Sequence, residues 1–229
     1  MSSSVDSSQN LVLLFDFDGT VSQGDGPVIE YATALANATG MSAVLTETTA
    51  TLEQAEVQSD YPDTAAPRDG YALVKSIATQ LHIPEPVCQS AYLASRSTLS
   101  STGIKPVPGL ANFLQETRAQ KILATNSPVT GIAAALDVLK LGDAFDRVIN
   151  NLGKPQGLED LLNGDLAGKD IISIGDIWEF DLAPVAKHGG RTILIKNRFI
   201  QTPDCQPTWT VSHPAELVPL LRTITEAPS

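Results

Sequence analysis

The chain has 229 residues, of which 42% are hydrophobic and 18% are charged. This composition excludes wholesale disorder, and the length accommodates one core or a core with a small insertion. The formal net charge is -11, which argues against nucleic acid and anionic membranes as partners, because an acidic surface repels both.

The sequence carries no sign of export or membrane insertion. The first ten residues have neither a basic leader nor an apolar signal core, and no apolar run approaches the about 18 residues of a membrane-spanning helix. The two cysteines, Cys88 and Cys205, are far apart and form no CxxC pair, so a disulfide framework is excluded. The expected location is therefore cytoplasmic.

The first predicted element is a buried strand, Leu11–Asp16, an apolar run that ends in acidic residues. The next block has no convincing strand and holds four helical stretches. These are Val28–Asn37, Ala43–Gln58, Asp69–Leu81 and Glu85–Thr98. Gly40 ends the first of them and Asp69 caps the third. We expect a helical bundle inserted after the first strand.

Strands and helices alternate through the rest of the chain. The further strands are predicted at Lys121–Thr125, Arg147–Asn150, Ile171–Gly175, Thr192–Ile195 and Trp209–Val211. The helices are predicted at Leu110–Arg118, Ile132–Leu139, Gly157–Leu162, Leu182–His188 and Ala215–Ile224. This order predicts an α/β fold, a doubly wound parallel sheet with a Rossmann-like core. Residues 1–21 and 105–229 would form that core, and residues 22–104 a helical cap.

Acidic side chains follow two of the predicted strands at the point where each ends. Asp16 and Asp18 close the first strand, and Asp176 and Asp181 follow Ile171–Gly175. Ligands of an open parallel sheet bind beyond the carboxyl ends of its strands, so these carboxylates are expected to converge. Carboxylates that close repel one another unless a cation lies among them. A hard divalent cation suits oxygen ligands, and Mg²⁺ is the usual one where phosphates also coordinate.

Four motifs, in this order, resemble those of the haloacid dehalogenase-like superfamily of hydrolases, and within it the phosphatases that carry a helical cap and are similar to phosphoglycolate phosphatases. The motifs are Asp16–Thr20 (DxDGT), Thr125 with Asn126, Gly153–Pro155 around Lys154, and Gly175–Asp181. The resemblance covers nearly the whole chain and includes the helical insertion after the first motif. The fourth motif differs at Phe180, where many relatives have Asn.

The resemblance implies a role for each motif residue. Asp16 would attack phosphorus and form an aspartyl-phosphate. Asp18 would protonate the leaving alcohol and later activate water. Thr125 would donate its hydroxyl to a phosphoryl oxygen, and Lys154 would bridge the phosphate and Asp16.

The resemblance also implies a Mg²⁺ site formed by Asp16, the backbone carbonyl of Asp18 and Asp176, with Asp181 supporting it. Asn126 is expected to contact the bound phosphate. The cation would neutralise charge on the transferring group, so a net negative protein still accommodates an anionic substrate.

The helical insertion is expected to close over the site and select the substrate. Its charged residues Asp25, Arg68, Lys75 and Arg96 are candidates for contact with a polar leaving group. Arg68 is the preferred one, because it lies in the irregular Pro67–Gly70 segment rather than within a helix.

The sequence therefore predicts a Mg²⁺-dependent phosphatase that acts on a small phosphorylated metabolite, as a monomer or a homodimer. A phosphomutase of the same architecture remains open, since it also needs Asp16 and Asp18. A non-catalytic regulatory or binding protein on this scaffold remains open as well. A dehalogenase is disfavoured because its reaction has no need of Asp18.

Overall fold

A computed structural model describes residues 10–54, 66–199 and 205–226. Eight strands lie in this part of the chain: β1 (Leu11–Phe15), β2 (Ser22–Gln23), β3 (Lys105–Pro106), β4 (Gln120–Ala124), β5 (Arg147–Ile149), β6 (Asp170–Gly175), β7 (Arg191–Ile195) and β8 (Trp209–Val211). Six of them form one parallel sheet in the order β5-β4-β1-β6-β7-β8, and β2 pairs with β3 in a separate antiparallel ribbon.

Nine α-helices lie in the described residues. They are α1 (Gly26–Thr39), α2 (Ala43–Glu53), α3 (Gly70–Gln80), α4 (Glu85–Arg96), α5 (Leu110–Glu116), α6 (Ile132–Val138), α7 (Gln156–Asn163), α8 (Ala183–Lys187) and α9 (Leu217–Glu226). The predicted end of the second helix, at Gln58, lies outside the described residues.

Helices cover both faces of the parallel sheet, which is why its strands are apolar throughout. The central strand β1 shows this. Leu13 and Phe15 point into one core, which is shared with α5, α6 and α9. Val12 and Leu14 point into the other core, which is shared with α7 and α8. The predicted fold class, a doubly wound parallel sheet, is confirmed.

The helices α1 to α4 form a bundle with its own core, in which Tyr31, Leu35, Leu73 and Ile77 are buried. The chain enters this bundle after β2 and leaves it before β3. We refer to residues 24–103 as the cap and to the parallel sheet with its helices as the core. Phe199, which follows β7 in the core, packs against the cap cluster.

The strands β2 and β3 and one helical turn were not predicted. The pattern of the inserted block indicated no strand, but β2 pairs with β3 over two residues each, which is too short for any periodicity to show. A single π-helical turn, Trp178–Leu182, precedes α8. None of the described helices has the length and apolar character that crossing a bilayer requires.

Candidate active site

The carboxyl ends of β1, β4 and β6 bring the motif residues together. β1 lies between the other two strands, and Asp16, Thr125 and Asp176 are the residues at or next to the three strand ends. The backbone N–H of Asp16 continues the ladder by donating to Ile174 O at 2.9 Å. Sheet pairing therefore fixes the backbone from which each of these side chains projects.

Three carboxylates form a cluster at this edge. Oxygen atoms of Asp16, Asp176 and Asp181 all lie within 4.8 Å of one another. Burial raises the pKa of Asp16 to about 7, and the neighbouring charge of Asp181 adds to the shift. Burial also raises the pKa of Asp176 well above its usual range, with Asp16 and Asp181 adding to it. The cluster thus holds more negative charge than its surroundings compensate.

Lys154 neutralises part of the negative charge of these carboxylates. Its Nζ donates to Asp16 Oδ1 at 2.8 Å and to Asp181 Oδ1 at 2.7 Å. Burial acts against the charge on this ammonium, but Asp16 and Asp181 outweigh it and raise the pKa of Lys154. Lys154 is therefore a permanent cation beside the predicted nucleophile.

The donor set fits a divalent cation. Asp16 and Asp176 offer carboxylate oxygens in a buried all-oxygen cluster, which is the ligand chemistry of Mg²⁺. Asp181 has other partners, because its Oδ1 accepts from Lys154 and its Oδ2 accepts from the Ile177 N–H at 3.1 Å. Its place is thus beside the cation site, holding Lys154 and the loop after β6.

Glycine makes room for this cluster. Gly19 has a φ of +79°, and a Cβ there would lie 2.3 Å from Asp176 Oδ2. Any other residue would therefore displace that carboxylate and strain the backbone. Asn197, in the loop after β7, donates from Nδ2 to Asp176 O at 3.2 Å and to Asp176 Oδ2 at 3.0 Å. Both contacts orient Asp176 toward Asp16.

The second motif is fixed by local hydrogen bonds. Thr125 is 2% exposed and lines the cavity, and its Oγ1 accepts from the Ser127 N–H at 3.0 Å. Asn126 also lines the cavity. Its side chain forms two hydrogen bonds with the backbone of Lys154: Oδ1 accepts from Lys154 N at 2.7 Å, and Nδ2 donates to Lys154 O at 3.4 Å. Asn126 thereby positions the lysine loop.

Asp18 has a set of partners separate from those of Asp16. Its Oδ1 accepts from Arg96 Nη1 at 3.2 Å and from the Tyr71 hydroxyl at 3.1 Å. Its Oδ2 accepts from Arg96 Nη2 at 3.2 Å and from Ser127 Oγ at 2.7 Å. Two of these three partners, Arg96 and Tyr71, belong to the cap. Asp18 is therefore a motif carboxylate that contacts both the core and the cap.

A cavity of about 1120 Å³ lies between the cap and the core. Its walls include Asp16 and Asp18 from the core and Tyr31, Tyr71 and Tyr92 from the cap. The volume exceeds what a phosphoryl group fills, so there is space for a leaving group against the cap tyrosines.

Arg68 is placed differently from the prediction. It is not among the residues that line the cavity, and its guanidinium pairs with Glu179 of the π-helical turn. The neighbouring Asp69 and Gly70 do line the cavity, whereas the Arg68 side chain is directed to Glu179 of the core. Arg96, another of the four candidates, does not line the cavity either, but its guanidinium contacts Asp18, which does.

Four contributors were missed by the sequence patterns: Ser127, Asn197, Tyr71 and Glu179. Asn197 could have been found, because it follows a predicted strand at the same sheet edge as Asp176. Ser127 could have been found in the same way, two residues after Thr125. Tyr71 lies 53 residues from Asp18, and only the docking of the cap brings the two side chains together.

A parallel sheet with an inserted helical cap, and a carboxylate cluster with a buried lysine where the two meet, define a capped α/β protein with an acidic active-site cleft. No protein-family model and no curated protein sequence matches the chain. Solved structures do match it over nearly the full length.

Three of these structures illustrate the likeness. A haloacid dehalogenase-like family hydrolase from Xanthomonas campestris is 18% identical, with a TM-score of 0.56, over 95% of this chain and 97% of its own. YfnB from Bacillus subtilis, solved bound to magnesium, is 15% identical, with a TM-score of 0.62, over 93% of this chain and 99% of its own. L-2-haloacid dehalogenase from Xanthobacter autotrophicus is 15% identical, with a TM-score of 0.56, over 92% of this chain and 98% of its own. At these identities the likeness is one of fold: the chain has the haloacid dehalogenase-like fold, as its motifs indicated.

Proposed function

We propose that the protein is a Mg²⁺-dependent phosphatase that hydrolyses a small phosphomonoester through an aspartyl-phosphate intermediate. One observation carries the proposal. Asp16 and Asp18 are two residues apart, yet Asp16 lies with Lys154 and the carboxylate cluster, while Asp18 lies with Arg96, Tyr71 and Ser127 on the cap side. Two carboxylates with separate surroundings suit two separate roles, nucleophile and acid/base.

In the first step, an Asp16 carboxylate oxygen attacks phosphorus in line with the ester bond. The phosphorus–oxygen ester bond breaks and its electron pair goes to the ester oxygen, which takes a proton from the carboxyl group of Asp18. Lys154, whose Nζ lies 2.8 Å from Asp16 Oδ1, orients that carboxylate and offsets the charge of the incoming phosphoryl group. The Thr125 hydroxyl donates to a phosphoryl oxygen.

In the second step, Asp18, now a carboxylate, takes a proton from a water molecule that attacks phosphorus. The bond between phosphorus and Asp16 breaks, and its electron pair returns to the Asp16 carboxylate as inorganic phosphate forms. Asp18 regains the proton that it gave up in the first step. The two steps together consume one water and one phosphomonoester and release an alcohol and phosphate.

Asp16, the backbone carbonyl of Asp18 and Asp176 would hold Mg²⁺. When bound, the cation supplies charge neutralisation to the phosphoryl oxygens. Asp181 and Asn197 keep these ligands in place through Lys154 and Asp176.

A phosphate-release assay tests the proposal. The purified chain is incubated with p-nitrophenyl phosphate, with Mg²⁺ or with a chelator, beside Asp16→Asn and a control variant, Asp143→Asn. Asp143 is an exposed aspartate in the loop before β5, at the opposite edge of the sheet. We expect Mg²⁺-dependent release from the parent and from Asp143→Asn, and background release from Asp16→Asn. Equal release by all three proteins would refute the assignment of Asp16.

The same assay separates the remaining alternatives. A non-catalytic scaffold protein would release no phosphate under any condition. The phosphomutase alternative needs a sugar phosphate in place of p-nitrophenyl phosphate: a mutase would then accumulate a phosphorylated isomer without a matching yield of inorganic phosphate.

A further inference from the structure

The loop after β7 connects the carboxylate cluster to the cap. Asn197, Arg198 and Phe199 follow the end of this strand, and all three line the cavity. Asn197 contacts Asp176 of the cluster, whereas Arg198 and Phe199 contact the cap. We refer to residues 197–199 as the bridging loop. One short segment thus touches an expected metal ligand at one end and the cap at the other.

The side-chain amide of Asn197 is held in one orientation. Its Oδ1 accepts from the Phe199 N–H at 2.8 Å, a turn that asparagine forms with the backbone two residues ahead. Its Nδ2 donates to Asp176 O at 3.2 Å and to Asp176 Oδ2 at 3.0 Å. A flipped amide would set donor against donor at Phe199 and acceptor against acceptor at Asp176. The backbone of Phe199 therefore decides which group of Asn197 faces Asp176.

The other contacts of the bridging loop are with the cap. Arg198 Nη2 donates to Asp25 Oδ2 at 3.0 Å, immediately before α1. Arg198 Nη1 donates to the carbonyl of Leu52 in the last turn of α2, where a cation also interacts favourably with the helix dipole. The ring of Phe199 packs against the buried cluster of the cap. Two cap helices therefore fix the backbone that holds Asn197.

We propose that Arg198 is a positioning residue for the cation site: docked on the cap, it fixes the bridging loop so that Asn197 orients Asp176. The inference rests on the proposed function, of which the Mg²⁺ site is a part, and adds that the affinity for the cation depends on the position of the cap. When the cap lifts from the core, the contacts of Arg198 and Phe199 are lost and the bridging loop relaxes, so the cation is held less tightly. The coupling is reciprocal, and a bound cation favours the docked cap.

Simple electrostatics predicts the opposite effect of Arg198. Its guanidinium lies on the wall of the cavity that also contains Asp16 and Asp176, and a positive charge there repels a cation. If its charge alone mattered, removing it would strengthen Mg²⁺ binding, or leave it unchanged where Asp25 already neutralises that charge. A positioning role predicts weaker binding, so the sign of the change separates the two roles.

Mg²⁺ titrations without substrate, followed by thermal melting, test the inference. They give an apparent dissociation constant for Mg²⁺ and show that each variant is folded. We would compare the parent with Arg198→Gln, Arg198→Lys and a control, Arg191→Gln. Arg191 begins the same strand at its opposite end and pairs with the exposed Asp170, so the control removes one arginine charge and one ion pair away from the cluster.

Arg198→Gln should raise the dissociation constant for Mg²⁺ by roughly 3- to 10-fold, less than the about 10- to 100-fold expected for a group that contacts a metal ligand itself. Arg198→Lys should give an intermediate value, because an ammonium lacks the fork that reaches both cap partners. Arg191→Gln should match the parent.

A double variant tests the route of the effect. If Arg198 acts through Asn197, then Arg198→Gln should weaken Mg²⁺ binding no further once Asn197→Ala is present. The same fold-loss in both backgrounds would show that Arg198 acts by another route.

That result, an unchanged or lower dissociation constant in Arg198→Gln, or an equal loss in Arg191→Gln would overturn the inference and leave the phosphatase proposal intact. A parent protein whose melting does not respond to Mg²⁺ would overturn the proposed Mg²⁺ dependence and this inference with it.

Discussion

At the scale of single residues, the site divides its carboxylates by their neighbours. Asp16, Asp176 and Asp181 share one cluster with Lys154, whereas Asp18 faces the cap. The cluster is held apart from water, which raises the pKa of Asp16 to about 7. A bound cation would relieve the repulsion among these groups, and the loss of any one carboxylate should relieve it as well.

The first residue-scale prediction concerns Asp176. Asp176→Ala should lower Mg²⁺-dependent activity by more than roughly 100-fold, because a metal contributes several kcal/mol to the stabilisation of transition-state charge. The variant should nevertheless fold, since removing a buried carboxylate relieves repulsion in the cation-free protein. Initial rates across a Mg²⁺ titration and a thermal melt check both parts. Near-parental activity at ordinary Mg²⁺ concentrations would mean that the cation is held elsewhere.

The second residue-scale prediction concerns Asn197, which donates two hydrogen bonds to Asp176. Asn197→Ala should weaken the activation by Mg²⁺ about 10- to 100-fold, the usual cost of removing a group that orients a metal ligand. The rate at saturating Mg²⁺ should stay close to that of the parent. Asn163→Ala, at the exposed end of α7, is the control. An unchanged Mg²⁺ dependence in Asn197→Ala would show that Asp176 needs no such support.

At the scale of elements, the sequence predicted the features that form within one strand or helix. It missed the contacts that form only when the cap docks on the core. Every strand of the parallel sheet and each of the nine described α-helices has a counterpart in the sequence pattern, because buried strands are continuous apolar runs and the helices have periodic ones. Asp16, Thr125 and Asp176 could be placed together, since each follows a strand of one parallel sheet.

The partners of Asp18 could not be placed in this way. Arg96 lies 78 residues from Asp18 in sequence, and its side chain reaches the site only because α4 docks over the core. Arg68 was preferred because it lies in an irregular segment, but that segment borders the π-helical turn and its Glu179. A pattern within one element cannot show which face of the cap meets the core.

The prediction at this scale concerns the cap as a unit. Its buried cluster is separate from the clusters of the core apart from Phe199, and the chain enters and leaves it near Gly24 and Gly103. Deleting residues 25–98 and inserting a short Gly/Ser linker should leave a folded core, because Leu99 and Ile104, which belong to the core cluster, are kept. The shortened protein should hydrolyse p-nitrophenyl phosphate but lose selectivity among phosphorylated metabolites. Loss of a cooperative melt would show instead that cap and sheet stabilise one another.

At the scale of the whole molecule, three arginine–carboxylate pairs among the described residues join cap and core: Arg96 with Asp18, Arg68 with Glu179, and Arg198 with Asp25. Arg96 is buried, whereas Arg68 and Arg198 are each 29% exposed at the side chain. Exposed pairs contribute only about 0–1 kcal/mol each. The two exposed pairs therefore add little to the attachment of the cap, which also includes the buried contacts of Arg96 and the packing of Phe199 on the cap cluster.

Cation binding should also be visible in the stability of the whole protein. At about 100 times its dissociation constant, Mg²⁺ stabilises the folded state by roughly 2.7 kcal/mol, which for a chain of this size corresponds to a rise of roughly 5–10 °C in Tm. Asp176→Ala should show little of this rise, although its melt without Mg²⁺ should be no lower than that of the parent. A thermal melt with and without Mg²⁺ gives both values. The same rise in both proteins would place the stabilising cation outside this cluster.

The most direct test of the account is the chemical state of Asp16 during turnover. Asp18→Asn keeps the nucleophile but lacks the group that activates water, and p-nitrophenolate leaves without acid help. With p-nitrophenyl phosphate and Mg²⁺, this variant should release a burst of up to about one equivalent of nitrophenol and then turn over slowly. Mass spectrometry of the quenched protein should find one added phosphoryl group on the peptide that contains Asp16. A phosphoryl group on any other residue, a burst from Asp16→Asn, or parental turnover by Asp18→Asn would contradict the roles assigned to the two aspartates.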